Sequence, residues 1–170
     1  SIVLSYIILF VPKFDYIQKR LFSFIDPNSG NNYQSEKASE AISSGGFFGK
    51  GIGEGTLNSR IPEAHTDYII SVISEEFGIL IVIFIMLILL IFSYQVLKKI
   101  NLESDNKAKL ILVGSITIIL LQAFIHIGVN IRFLPTTGMT LPFLSYGGSS
   151  IISTAILSGI ILNLTKRKLT

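Results

Sequence analysis

In 170 residues the chain carries 49% hydrophobic side chains and only 15% charged ones, with a net charge of +3 and no cysteine. Soluble domains average about 25% charged residues, so this composition, with a mean hydropathy of +0.62, describes an all-α integral membrane protein. The small, scattered positive charge argues against a nucleic-acid partner, and the lack of cysteine excludes disulfides and thiolate metal sites.

The first segment, "SIVLSYIILFV" (1–11), is apolar but has no basic n-region and no small-residue cleavage site, so it is not a signal peptide. At about 16 Å of helix it crosses only half a bilayer. It reads as the end of a span, with a short buried helix as the other reading.

Residues 12–76 hold no apolar run long enough to cross. Within them "SGGFFGKGIGEGT" (44–56) has six glycines in thirteen residues, so its backbone reaches positive φ at many points. It is not a Walker A loop: Ser44 stands where the first glycine belongs, and no Ser or Thr follows Lys50. Two readings stay open, a surface loop and a loop whose free amides and Lys50 approach a phosphate.

Next comes "PEAHTDYIISVISEEFG" (62–78). Pro62 suits a first helical turn and Glu63 favours the dipole there. A helix over 62–76 aligns Glu63, Asp67, Ser71 and Glu75 as one polar stripe. That stripe is either a solvated face or a carboxylate site at the bilayer boundary, able to act as base or metal ligand. His65 completes no H-E-x-x-H, so zinc protease chemistry is not expected, and oxygen-rich ligands point to magnesium or manganese.

Three spans are expected over 77–97, 110–129 and 142–164. The linking segment 98–109 carries four lysines against two acids, and 165–170 carries three basic residues and no acid. The positive-inside rule assigns both to the cytoplasm, leaving 12–76 and the turn around 131–141 on the other face. Gln122, His126 and Asn130 recur every four residues on the second span, either as glue between helices or as cavity lining. Pro135, Gly138, Pro142, Gly147 and Gly148 predict a broken or re-entrant stretch before the third span.

"YQSEKASEAISSGGFFGKGIGEGTLNSRIPEAHTDYIISVISEEFG" and "GVNIRFLPTTGMTLPFLSYGGSS" closely resemble the C-terminal half of the SEDS (shape, elongation, division and sporulation) family. "PEAHTDYI" and Thr140 before Leu-Pro favour its division branch over its elongation branch. The resemblance covers nearly all 170 residues and makes 1–170 the C-terminal part of one polytopic domain of about ten helices, about six spans and most of a seventh preceding it.

It implies a peptidoglycan glycosyltransferase of the bacterial cytoplasmic membrane, working at the division septum. Lipid II would be the substrate, and a class B penicillin-binding protein transpeptidase, other division proteins and membrane lipids the partners. The family's essential aspartate falls on Asp67, as base or as ligand of a divalent cation (Mg2+ or Mn2+), with Glu63 and His65 beside it. Lys50 and Arg60 are candidates to meet the departing pyrophosphate, or are solvated loop charges. The family commonly reads "LPTKG" where this chain has Thr137. Arg132, five residues earlier, either replaces that lysine toward a phosphate or anchors the second span. A precursor transporter and a division scaffold are the competing functions.

Overall fold

The computed structural model describes residue 24, residues 33–61 and residues 63–166. The expected span end at 1–11, Pro62 and the basic residues at 167–170 lie outside these. The described residues are helical, with no strand: α1 (Tyr33–Gly45), the single turn α2 (Leu57–Arg60), α3 (Ile69–Phe77), α4 (Ile79–Leu102), α5 (Asn106–Asn130) and α6 (Gly148–Thr165).

Three of them, α4, α5 and α6, are long and apolar enough to cross a membrane. At 24 residues α4 is about 36 Å long, and it is apolar around its whole circumference, as a lipid-facing helix must be. Leu80, Phe84, Leu87 and Ile91 are all exposed on it. The expected first span, 77–97, continues to Leu102 because nothing breaks the helix there. Asp105 then starts α5 by accepting the Lys107 amide at 3.0 Å. Only 103–105 remain as a link, and the lysines of the expected cytoplasmic loop ride on the two helix ends. Val96 and Ile100 of α4, Leu112, Ile116 and Ile119 of α5, and Ile161 of α6 close the core at this end.

The far end of α5 folds back on itself. Arg132 takes φ 59°, the left-handed conformation that commonly stops a helix. The amides of Phe133 and Leu134 both reach the Gly128 carbonyl, at 2.7 and 2.9 Å. A Cβ on Gly128 would meet Leu134 Cδ1 at 2.8 Å, so the glycine leaves room for the returning chain.

From there the chain dips along α5 as a re-entrant segment. Thr140 and Ser150 both meet Gln122, eight residues before Asn130, about 12 Å along the helix. Leu141 is buried with Val82, Leu89 and Ala123, and Phe143 sets its ring edge-on to Phe92, centroids 6.4 Å apart. The third span therefore starts at Gly148 rather than Pro142. Residues 142–147 turn instead, Phe143 at φ 69°, with Ser145 Oγ accepting the Leu141 amide at 2.8 Å. Non-helical backbone at this depth is tolerable because protein groups satisfy it.

Beyond the other end of α4, α1 and α3 pack together with α2. Ala38, Ala41, Leu57, Ile61, Ala64, Tyr68 and Val72 form their shared core with Val129 of α5. Small residues on α1 permit close approach: a Cβ on Gly45 would lie 2.0 Å from the Ser74 carbonyl oxygen.

The glycine-rich loop straps the C-terminal end of α3. The Lys50 and Gly51 amides donate to the Glu75 and Glu76 carbonyls at 2.8 and 3.0 Å, and Ile79 donates back to Gly46 at 3.0 Å. The two loop amides are thus committed to helix carbonyls, which corrects the reading of them as free phosphate donors. Gly78, at φ 85°, joins α3 to α4 where a Cβ would strike the Phe47 carbonyl oxygen at 2.2 Å. Only glycine fits such a junction.

Glu75, 1% exposed, locks the strap from inside. Its carboxylate accepts Lys50 Nζ at 2.8 Å, Thr56 Oγ1 at 3.1 Å and the Leu57 amide at 3.0 Å. Burial pushes this carboxyl up, but the bonds from Lys50, Leu57 and Thr56 outweigh it and hold the acid below its ordinary value. A depressed folded pKa stabilises above the unfolded glutamate's value of about 4.3, and the contribution is lost as pH falls through the lower folded value. Replacing Glu75 by Gln should therefore cost about 1–3 kcal/mol near neutrality, the half-exposed Lys50 contributing a screened share. The difference in melting temperature between variant and parent should shrink steadily below about pH 4; a gap that does not change with pH would refute the assignment.

Candidate functional site

Asp67 lies in the turns that lead into α3, and its environment explains why the helix starts where it does. The expected stripe through Glu63, Asp67, Ser71 and Glu75 does not form, since residues 63–68 are turns and α3 begins only at Ile69. In a continuous helix the carbonyls of His65, Thr66 and Asp67 would accept from the amides four residues on. Here each has a partner from elsewhere. The Tyr146 amide donates to the His65 carbonyl at 3.1 Å, Ser145 Oγ to the Thr66 carbonyl at 2.8 Å, and Asn130 Nδ2 to the Asp67 carbonyl at 3.0 Å.

Asn130 goes further. Its Oδ1 accepts the Ser71 amide at 3.2 Å and Ser71 Oγ at 2.7 Å, while Nδ2 also donates to the His126 carbonyl at 2.8 Å. The side-chain amide thus lies between the Asp67 carbonyl and the Ser71 amide, the pair that a helical hydrogen bond would join directly. Asn130, Ser71 and Ser74 are fully buried, with Ser145 nearly so.

The rest of the α5 polar ladder holds the re-entrant segment. His126 Nδ1 donates to the Met139 carbonyl at 2.8 Å, and Gln122 Nε2 donates to the Thr140 carbonyl at 2.9 Å and Ser150 Oγ at 3.1 Å. Gln122, His126 and Asn130 therefore bond helix to loop at three successive levels. Met139 and Thr140, fixed in this way, bring Gly138 beside the aspartate. A Cβ there would sit 3.6 Å from Asp67 Oδ2, and φ 71° disfavours any side chain that would narrow the gap.

The half-exposed Asp67 therefore sits on a fixed backbone beside a glycine, a geometry in which a carboxylate can receive a proton from a hydroxyl. Glu63 and His65 are exposed on the same turns. Among the described residues no three His, Asp or Glu side chains converge to hold a metal ion. The described residues do not by themselves make a cation cage.

The candidate cations are distributed. Lys50 and Arg60 line one pocket of about 160 Å3 with Lys37, Glu40, Thr56 and Glu75, where Lys50 is the partner of buried Glu75. Arg132, at the end of α5, extends to Glu36 of α1 at 3.9 Å. Ser145 and Tyr146, which hold the Thr66 and His65 carbonyls, carry no signal in the sequence. The partners in the Thr66–Ser145 bond are 79 residues apart, and no local pattern ties such positions together.

The chain matches the family model described as "Cell cycle protein", which groups FtsW, RodA and SpoVE, over residues 1–169. It is 37% identical over 158 residues to a probable peptidoglycan glycosyltransferase FtsW of Caulobacter vibrioides, covering 91% of this chain and 40% of that protein. The corresponding protein of Geobacter metallireducens is 35% identical over 170 residues, covering 98% and 45%; that of Borreliella burgdorferi is 41% identical over 156 residues, covering 89% and 43%. The chain thus spans less than half the length of these curated relatives. Its fold is also similar to that of a chain from a peptidoglycan synthase complex that coordinates polymerization and crosslinking, with a TM-score of 0.67 and 24% identity over 99% of this chain and 49% of the other. The buried asparagine, the re-entrant turn and the aspartate they hold are therefore features of a multi-pass membrane protein that belongs to the FtsW, RodA and SpoVE family of cell cycle proteins.

Proposed function

We propose that this chain contributes the acidic site of a peptidoglycan glycosyltransferase that polymerises lipid II for the septal wall. The observation that carries the reading is Asp67, with its own carbonyl and those of the two residues before it held from α5 and the re-entrant turn. Names of relatives supply the reaction class.

In that reaction the acceptor sugar's 4-hydroxyl attacks the donor's anomeric carbon. A C–O bond forms, the bond from that carbon to the pyrophosphate oxygen breaks, and undecaprenyl pyrophosphate leaves with the electron pair. Asp67 receives the hydroxyl proton, and the clamp keeps its backbone from shifting as the proton moves. Arg60 and Arg132 are the cations we assign to the pyrophosphate, arginine being able to grip two phosphate oxygens at once. Lys50 adds positive charge from its place on Glu75. Glu63 and His65 are exposed on the same turns as Asp67, and a magnesium or manganese ion would accompany the pyrophosphate. The site faces outward at the cytoplasmic membrane of the septum, with a class B penicillin-binding protein transpeptidase as the partner that crosslinks the product.

A transporter of the lipid-linked precursor is the second reading, favoured by the non-helical backbone of 139–147 at membrane depth. Both readings are tested on the full-length protein. Asp67→Asn should lower lipid II polymerisation by about 10²–10⁴-fold, as loss of a general base does, with folding intact. A transporter would instead lose precursor translocation, and wild-type polymerisation by the folded variant would refute the assignment.

Asn130 is a positioning residue on this reading. Asn130→Ala should lower kcat by about ten-fold or more, since leaving buried partners unpaired costs about 1–3 kcal/mol, and KM for lipid II should change little. A rise in KM alone would show that the residue serves binding instead.

Arg132→Ala should raise KM for lipid II, and adding Thr137→Lys should restore it. An unchanged KM in the single variant, or no rescue, would remove Arg132 from the site.

A further inference from the structure

The glycine-rich loop carries an apolar tip that neither the strap nor the site uses. Phe47, Phe48 and Ile52 are 70%, 84% and 80% exposed, more than any residue of a packed core. Solvent-facing loops seldom display two adjacent phenylalanines and an isoleucine, and such a patch marks a contact surface.

Its height in the molecule is fixed by backbone contacts. The Ile79 amide donates to the Gly46 carbonyl at 3.0 Å, and the Phe47 carbonyl oxygen lies where a Cβ on Gly78 would be, 2.2 Å away. Gly78 and Ile79 are the point where α4 begins, and the apolar surface of α4 starts there without a polar turn, with Leu80, Ile81, Ile83 and Phe84 all exposed. The tip is therefore locked level with the end of a helix long and apolar enough to cross a membrane. Charged groups flank it on the same loop: Lys50 is tied to Glu75, and Glu54 is exposed. Apolar side chains alternating with charges at the end of a span match the headgroup and acyl-chain boundary.

We propose that Phe47, Phe48 and Ile52 form an interfacial anchor that inserts into the lipid bilayer beside the start of α4. The anchor continues the lipid-facing surface of that helix onto the loop. Because the same loop straps α3 through the Lys50 and Gly51 amides, lipid contact at the tip also fixes the height of α3 and of the residues before it.

The test is site-directed spin labelling of the full-length protein, made free of other cysteines and reconstituted into phosphatidylethanolamine–phosphatidylglycerol vesicles. Labels at Phe48→Cys and Ile52→Cys are compared with one at Phe84→Cys on α4 and one at Glu54→Cys on the loop. The expected result is that the Phe48 and Ile52 labels collide with dissolved oxygen several-fold more than with a water-soluble nickel chelate, as the Phe84 label does, while the Glu54 label shows the reverse. Preference for the nickel chelate at Phe48 and Ile52 would overturn the proposal and leave a solvent-facing tip. Low collision with both reagents would overturn it too, showing that protein covers the patch. Ile52 keeps the test open if the label at Phe48 disturbs the strap.

Discussion

One side-chain amide determines how the half of this molecule around Asp67 is built. Asn130 stands between the Asp67 carbonyl and the Ser71 amide, replacing a bond that the backbone would otherwise close by itself. The substitution has two effects. It stops α3 from extending through Asp67, so the aspartate sits on turns and not on a regular helix. It also ties those turns to α5, a long helix whose own position is set by the apolar core at its other end. A buried amide with both ends satisfied is rigid, because any shift strands a donor or an acceptor away from water.

The same logic extends down α5. Gln122, His126 and Asn130 form a ladder whose rungs each hold a different piece of chain: the start of α6 and Thr140, then Met139, then Asp67. A helix is a good ruler for such a task, since positions four apart stand about 6 Å from each other on one face. The re-entrant segment needs this help. Arg132 and Phe143 both adopt positive φ, a conformation that costs side chains other than glycine about 1–2 kcal/mol, so its path is imposed by partners and not by local preference.

What could be read from the sequence follows from this division of labour. The apolar runs announced α4, α5 and α6, because length and composition alone decide whether a helix can cross a bilayer. The periodicity of Gln122, His126 and Asn130 was visible too, though not what each would hold. The helix that Pro62, Glu63 and the charge pattern favoured does not run through 63–68: tertiary bonds from Asn130, Ser145 and Tyr146 take the acceptors it needed. Glu75 looked like one more member of a polar stripe; it is buried apart from Asp67, because Lys50 and Thr56 reach it from a loop whose glycines disguised its packing as freedom. The start of the third span is hidden in the sequence for a related reason. Residues 142–147 are apolar enough to belong to it, but hydropathy does not register that their backbone is pinned elsewhere.

The distances along the chain between bonded partners set an order in which these parts can come together during synthesis, which proceeds from the N-terminus. Lys50 lies upstream of Glu75, so that pair can close as soon as residue 75 is available, before α4 is made. The aspartate box waits far longer. Its three carbonyls acquire their partners only when Asn130, then Ser145 and Tyr146, have been added, the last two just before α6 begins. Up to that moment the turn carrying Asp67 has only its local bonds to the Ile61 and Glu63 carbonyls and its packing on α1 and α2 to shape it. The acidic site is therefore completed only after α4 and α5, and a nascent chain carries its strap and these two helices well before it carries a fully held carboxylate.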